Sequence, residues 1–258
     1  MTIQKPERHF QVELALGRAR QPNNELMSSV FKYGSNELVS TAEDGLLSQG
    51  GPFIFPSSPQ RVRIRAGGNV ADDTAGLGAQ EIEIFGINGA GEATSEIVTT
   101  AGVSASAWTT NTWWRVYRIR PTVVGEYDGV NTGDIDIENE TDLDLLIQLP
   151  ALRGSTLYLA WATGINQQAL VSTLTFSVAS NKTADIRIYT RENLTSTGAP
   201  YTTKKLRQEF LTVPSGLFSV PREPYLYLPP LTDVFVTAQV PVTTSAVSGA
   251  LSIIVVPA

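Results

Sequence analysis

The sequence predicts an all-β protein: two tandem antiparallel β-sandwiches, jelly-roll-like, behind an irregular N-terminal arm. Three observations predict it. First, Arg61-Val62-Arg63-Ile64-Arg65 and Glu81-Ile82-Glu83-Ile84-Phe85 alternate charged and apolar residues. That period of two gives a strand one wet face and one buried face. Second, short runs of this kind recur along the chain from Gln60 onward, separated by turn residues and without a helical period. Third, the 258 residues are 42% hydrophobic but only 17% charged. Ser, Thr, Gly and Ala fill the difference, as they do in sandwiches with exposed strand faces and many turns.

Residues 1–59 form the arm. Phe10, Val12, Leu14 and Leu16 alternate with Gln11, Glu13 and Ala15, which suggests a strand that Gln21-Pro22-Asn23-Asn24 breaks. Leu26 to Tyr33 fits a short helix or a strand. Gly50-Gly51-Pro52-Phe53-Ile54-Phe55-Pro56 is apolar but bracketed by prolines, so it does not sit mid-sheet. It either reaches a neighbouring molecule or covers its own domain.

The first sandwich occupies residues 60–152. Its strands are Arg61–Arg65, Glu81–Phe85, Thr94–Thr99, Trp114–Arg120, Asp134–Ile137 and Leu143–Leu149, with turns at Asn88-Gly89, Gly125 and Asn131-Thr132-Gly133. The opposite charges of the first two strands suit cross-strand pairing in one hairpin. The second sandwich occupies residues 153–258. Its strands are Leu157–Trp161, Leu170–Val178, Ala184–Thr190, Lys205–Val213, Tyr225–Leu228, Val234–Val240 and Ala246–Val256. The final run, Leu251 to Val256, reads as a central strand buried on both faces.

Composition narrows function. A net charge of −6 argues against nucleic-acid binding, which needs a surplus of Lys and Arg. The chain has no cysteine, so disulfides, thiolate nucleophiles and Cys-based zinc sites are excluded. One histidine, His9, leaves little for a catalytic triad or a His metal cluster. No apolar run approaches the ~20 residues needed to span a bilayer, and Met1 to Gln11 lacks a signal-peptide core. The expected setting is a cytoplasm, or a particle assembled there.

Three stretches are candidate sites. The loop from Gly67 to Gly78 lacks the Lys-Ser/Thr ending of a phosphate cradle. Its Gly68, Asn69, Asp72, Asp73 and Thr74 are read as partner-contact residues, with Asp72 and Asp73 weighed also as calcium ligands. From Asp134 to Asp144 an acid stands at every even position. Asp134, Asp136 and Glu138 would share one strand face about 6.6 Å apart. Either Ca²⁺ offsets that repulsion, or Arg115, Arg118 and Arg120 of the preceding strand do. Trp108, Trp113 and Trp114, with Tyr117, form an aromatic cluster that would stack on a sugar if exposed and fill the core if not.

A resemblance extends this reading. Phe31-Lys32-Tyr33-Gly34, the Gly50-Gly51-Pro52 corner and Arg61-Val62-Arg63-Ile64 are followed by Gly78-Ala79-Gln80-Glu81-Ile82-Glu83-Ile84-Phe85-Gly86-Ile87. Trp114-Arg115-Val116-Tyr117-Arg118 and then Asn181-Lys182-Thr183-Ala184-Asp185-Ile186-Arg187-Ile188-Tyr189-Thr190-Arg191 complete the order. The order resembles a family of virion structural proteins of tailed bacteriophages, common in marine phages. The resemblance implies a virion part without catalytic residues: a capsid decoration or cement protein, or else a tail, collar or fibre-attachment component. Partners would be the major capsid protein and copies of the chain itself, as a homotrimer, with no nucleic acid or membrane. A carbohydrate- or receptor-binding module is the reading from a different class, and an enzyme is not expected.

Overall fold

The computed structural model describes residues 13–21 and 25–258, apart from the side chains at 222 and 223. Thirteen strands occur among the described residues: β1 (Ser28–Val39), β2 (Asp44–Gly45), β3 (Val62–Ile64), β4 (Ala79–Asn88), β5 (Ala93–Thr99), β6 (Trp113–Val124), β7 (Ile135–Asn139), β8 (Leu145–Leu149), β9 (Ala160–Ala162), β10 (Gln167–Arg191), β11 (Lys205–Leu228), β12 (Asp233–Gln239) and β13 (Ser245–Pro257). All pairings are antiparallel.

Two three-stranded sheets, β3-β7-β8 and β5-β4-β6, come from the middle of the chain. They face each other across one core. Val62, Ile64, Ile137 and Ile147 meet Ile82, Ile84, Val98 and Ile119, all buried. β3 buries Val62 and Ile64, and β4 buries Ile82, Ile84 and Gly86, so in these two strands the period-two pattern sets the packing. The expected hairpin between the arginine and glutamate runs does not form. β3 pairs with β7, while β4 pairs with β5 and β6. The loop between the two runs crosses from one sheet to the other. Each run finds its opposite charges there: Arg61 bonds Glu140, Arg63 bonds Glu138, and Glu83 bonds Arg120.

The remaining strands build a seven-stranded sheet, β1-β13-β10-β12-β2, with β11 beside β10 and β9 beside β12. β10 organises it. Gln167–Val178 pairs with β13, Asp185–Arg191 pairs with β12, and β11 runs along the other edge of both halves. The run expected as two strands is thus one strand of 25 residues, and β11 likewise joins two expected strands into 24. Asn181-Lys182-Thr183 is an irregularity in the ladder rather than a break, with Asn181 at φ 59°. Both halves face one core: Leu174 and Phe176 from the first, Ile186 and Ile188 from the second, with Leu251, Ile253, Val234 and Val236.

Residues 28–45, expected within the arm, supply β1 and β2 of this sheet, so the strand alternative for Leu26–Tyr33 is the observed one. Residues 13–15 form a single helical turn in place of the expected strand; Phe10, Val12 and His9 lie outside the described residues. Leu14 and Ala19 pack on Ile254. β13 is therefore central, buried on its inner face at Leu251, Ile253 and Val255 and covered on its outer face at Ile254, the end where its apolar run lies. Phe53 and Phe55 are a cover on their own molecule: Phe53 meets Tyr158 and Phe235 edge-on, and Phe55 lies tilted against Phe235. Phe235 also belongs to the first core, while its neighbours Val234 and Val236 belong to the second. β12 is the shared wall between the two cores. Among the described residues no helix is long and apolar enough to cross a membrane.

Candidate assembly surface

The loop between β3 and β4 is held from beneath by one buried carboxylate. Asp72 is 3% exposed. Its Oδ1 accepts the amides of Ala79 and Thr132, each at 2.8 Å, and its Oδ2 accepts the amide of Gly133 at 2.7 Å. Backbone bonds complete the bracing: Gly67 N to Val103 O at 2.9 Å, Gly102 N to Asp72 O at 2.8 Å, and Gly125 N to Gly78 O at 2.9 Å. Asn69 accepts from Ala71 N, and Asp73 accepts from the amide and hydroxyl of Thr74. A Cβ on Gly68 would approach Gly102 O to 2.9 Å, so this position needs glycine. Both Asp72 oxygens are thus engaged by backbone amides, while Asp73 turns to Thr74. The fixed loop exposes Val70 and Leu77, 72% and 64%.

The acidic run is dispersed among different partners. Asp134 Oδ1 accepts the amide of Ala151 at 2.7 Å, and Asp136 Oδ1 accepts from Gln148 Nε2 at 3.0 Å. Buried Glu138 pairs with Arg63 at 2.8 Å and Arg65 at 3.4 Å. The offsetting cations thus come from β3, the strand hydrogen-bonded to β7, and not from Arg115, Arg118 or Arg120 of β6. Burial raises the Asp136 carboxyl above its ordinary range; the Gln148 bond opposes that and the Asp134 charge adds to it. Among the described residues no three acidic or histidine side chains converge on a point that would hold a metal.

The tryptophans separate. Trp113 and Trp114 are 1% and 3% exposed, the first donating to Thr109 Oγ1 and the second to Gly89 O. That corrects the sugar-platform expectation for both, because a buried ring offers no face to a ligand. Trp108 is half-buried, with the Arg63 guanidinium 4.2 Å from its ring centre.

Three features escape a reading of the chain. Arg115 and Asp233 are a buried pair, 118 residues apart, joined by Nε to Oδ1 at 2.8 Å and Nη2 to Oδ2 at 2.9 Å. Arg191 adds a second guanidinium to Asp233, and Phe55 lies against both arginines. Lys32 is buried on β1, its Nζ donating to Tyr117 O and lying over the rings of Tyr117 and Tyr158. Desolvation holds its ammonium well below the ordinary lysine range, with the Arg118 charge adding.

The third feature is the outward face of β1, β13, β10 and β11. Register places Phe31, Ser252, Thr173 and Pro221 in one row and Tyr33, Ala250, Thr175 and Ser219 in the next. The flanking rows are Ser29, Ile254, Leu170, Tyr227 and Ser35, Ser248, Ser177, Leu217. None of these sixteen positions is charged. Small residues make the floor, while Phe31, Tyr33, Leu217 and Tyr227 are exposed along the two edges.

No family model matches the chain, and no curated protein matches it. Among solved structures it is similar to a chain in the structure of infectious bursal disease virus Gt strain, at TM-score 0.24 and 9% identity over 95% of this chain and 76% of that one. A chain of the infectious bursal disease virus VP2 subviral particle aligns at TM-score 0.23 and 12% identity, over 95% and 77%.

Proposed function

We propose that the chain is a structural protein of a tailed-phage virion that decorates the capsid, bridging subunits of the mature major-capsid lattice. In this reading it is not an enzyme. Its partners are the major capsid protein and further copies of itself in a trimer, and it resides on the virion after assembly in the host cytoplasm. The observation that carries the reading is the braced loop with Val70 and Leu77 exposed on it. A loop fixed before binding loses little conformational entropy on docking, and exposed aliphatic side chains supply the apolar contact. The ordered resemblance to phage virion proteins supports the same reading. Mechanism is mass action: subunits that bind the assembled lattice and not its dissociated parts stabilise the lattice, and several contacts per oligomer multiply the effect.

The test mixes the purified chain with capsids lacking it and follows co-sedimentation. Wild type is expected to saturate the capsid. A Val70→Asp/Leu77→Asp variant of unchanged thermal stability is expected to stay in the supernatant. Saturable binding to tails and none to heads would overturn decoration in favour of a tail, collar or fibre-attachment role.

A further inference from the structure

The connection between β10 and β11, residues 192–204, borders a cavity of about 170 Å³ together with Phe55 and Arg191. Leu194 pins the connection: it is buried with Ile87, Trp114 and Ala162, and its amide donates to Leu231 O at 3.1 Å. Asn193 Nδ2 reaches Thr202 Oγ1 at 3.5 Å and so joins the two limbs. Phe55, Leu194 and Tyr201 make the apolar part of the cavity wall, and Arg191, Asn193 and Thr202 the polar part.

Charge around this cavity is unbalanced. Asp233 is the shared acceptor of Arg115 and Arg191, and Glu192 that of Lys205 and Arg207. Lys204 has Glu43, which Arg187 also approaches. In the first two clusters four cations thus face two carboxylates among the described residues, within a chain of net charge −6. Arg191 carries the usable part of that excess. Its Nε and Nη2 both donate to Asp233 Oδ2, at 3.2 and 2.9 Å, while its Nη1 donates to no acceptor among the described residues. Arg115 Nη1, by contrast, is occupied by Pro56 O and Trp114 O.

We propose that this cavity binds a carboxylate carried on a short hydrocarbon stem, with Arg191 as its anchor. A guanidinium offers a carboxylate two parallel N–H donors, and Nη1 with the remaining Nη2 hydrogen is such a pair. The wall selects the stem: Phe55, Leu194 and Tyr201 suit hydrocarbon, whereas a bare phosphate would lose hydration against them without return. Volume sets the size, because an apolar cavity of about 150 Å³ takes one benzene. The acid is therefore a small molecule or the end of one acidic side chain of a partner, which present the same chemistry. The excess positive charge draws an anion to this point of an otherwise acidic surface. The inference does not rest on the virion reading.

The test titrates the full nitrogen-15-labelled chain with butyrate at fixed ionic strength, following Arg191 Nε–H and the Asn193 and Thr202 amides by NMR. Saturable shifts at these groups are expected with butyrate, and none with chloride or butylammonium. A blocked tripeptide with a central glutamate separates the sources: saturation with it assigns the carboxylate to a partner chain, and saturation with butyrate alone assigns it to a small acid. Thr202→Asp places a competing carboxylate on the wall and is expected to abolish the shifts, while the uncharged Thr202→Asn retains them. If Thr202→Asp unfolds the protein, Ser196→Asp and Ser196→Asn repeat the comparison at another point of the wall. Shifts that saturate with neither ligand, inorganic phosphate binding as tightly as butyrate, or an aspartate variant that still binds each overturn the proposal.

Discussion

Arg115 and Asp233 join β6 to β12 through two parallel hydrogen bonds, with side chains 5% and 2% exposed. The pair ties the sheet β5-β4-β6 to the seven-stranded sheet, alongside the Lys32–Tyr117 bond from β1. Asp233→Ala would leave the Arg115 guanidinium buried without its counter-charge, and Arg191 would lose its partner too. Removing one partner of a buried pair costs about 3–5 kcal/mol. At roughly 2–4 °C per kcal/mol for a chain of this size, the melting temperature falls by about 6–20 °C. Urea unfolding and calorimetry check this; a loss under about 1 kcal/mol would show that the charges rearrange into solvent.

Lys32 predicts a pH dependence. Its folded-state affinity for a proton is lowered by burial, first through desolvation and then through Arg118. The unfolded chain therefore binds more protons than the folded one, and stability rises with pH up to the unfolded lysine value of about 10.4. The contribution is lost as pH falls toward the depressed folded value. Denaturant midpoints across the neutral and alkaline range should rise for wild type relative to Lys32→Met. Parallel curves would sink the prediction.

Asp72→Ala should release the loop without unfolding the cores. Three amides lose a buried acceptor, at about 1–3 kcal/mol for each group left unpaired. Hydrogen exchange should accelerate at Ala79, Thr132 and Gly133 while Ile82 and Ile84 stay protected. Uniform acceleration across both sheets would instead mean that the loop is part of the cooperative unit.

Calcium should add no stability. The Asp134, Asp136 and Glu138 carboxylates are each engaged with a different partner, and among the described residues no three acidic side chains gather around one point. Melting temperatures with excess Ca²⁺ and with a chelator are expected to coincide. Glu138→Gln should cost roughly 1.5–3 kcal/mol, the scale of a charged hydrogen bond, with or without calcium. A calcium-dependent rise in melting temperature that Glu138→Gln abolishes would make the run a metal site.

What the chain discloses about itself depends on range. Alternation at Arg61–Arg65 and Glu81–Phe85 discloses two strands and which face of each is wet, because that information lies within five residues. It does not disclose the partner, because Arg63 has two acidic runs to choose from and only the path of the loop decides. Polar Asn181-Lys182-Thr183 looks like a turn; it is polar because that part of the long ladder is in water. Arg115 reads as a wet-face arginine, yet its counter-charge lies 118 residues further on. Trp113 and Trp114, adjacent in sequence, both look available for stacking, but strands on opposite sides bury both. The braced loop was visible as a glycine-rich stretch, while the role of Asp72 depends on amides 60 and 61 residues away.

β10 has a mechanical consequence. Its 25 residues give a contour length of about 80 Å, and one covalent backbone serves both halves of the large sheet. A pull along that backbone loads the rungs to β11, β12 and β13 in shear, where many must yield together, rather than unzipping them singly. On a shell under outward pressure, such a strand would work as a tie rod.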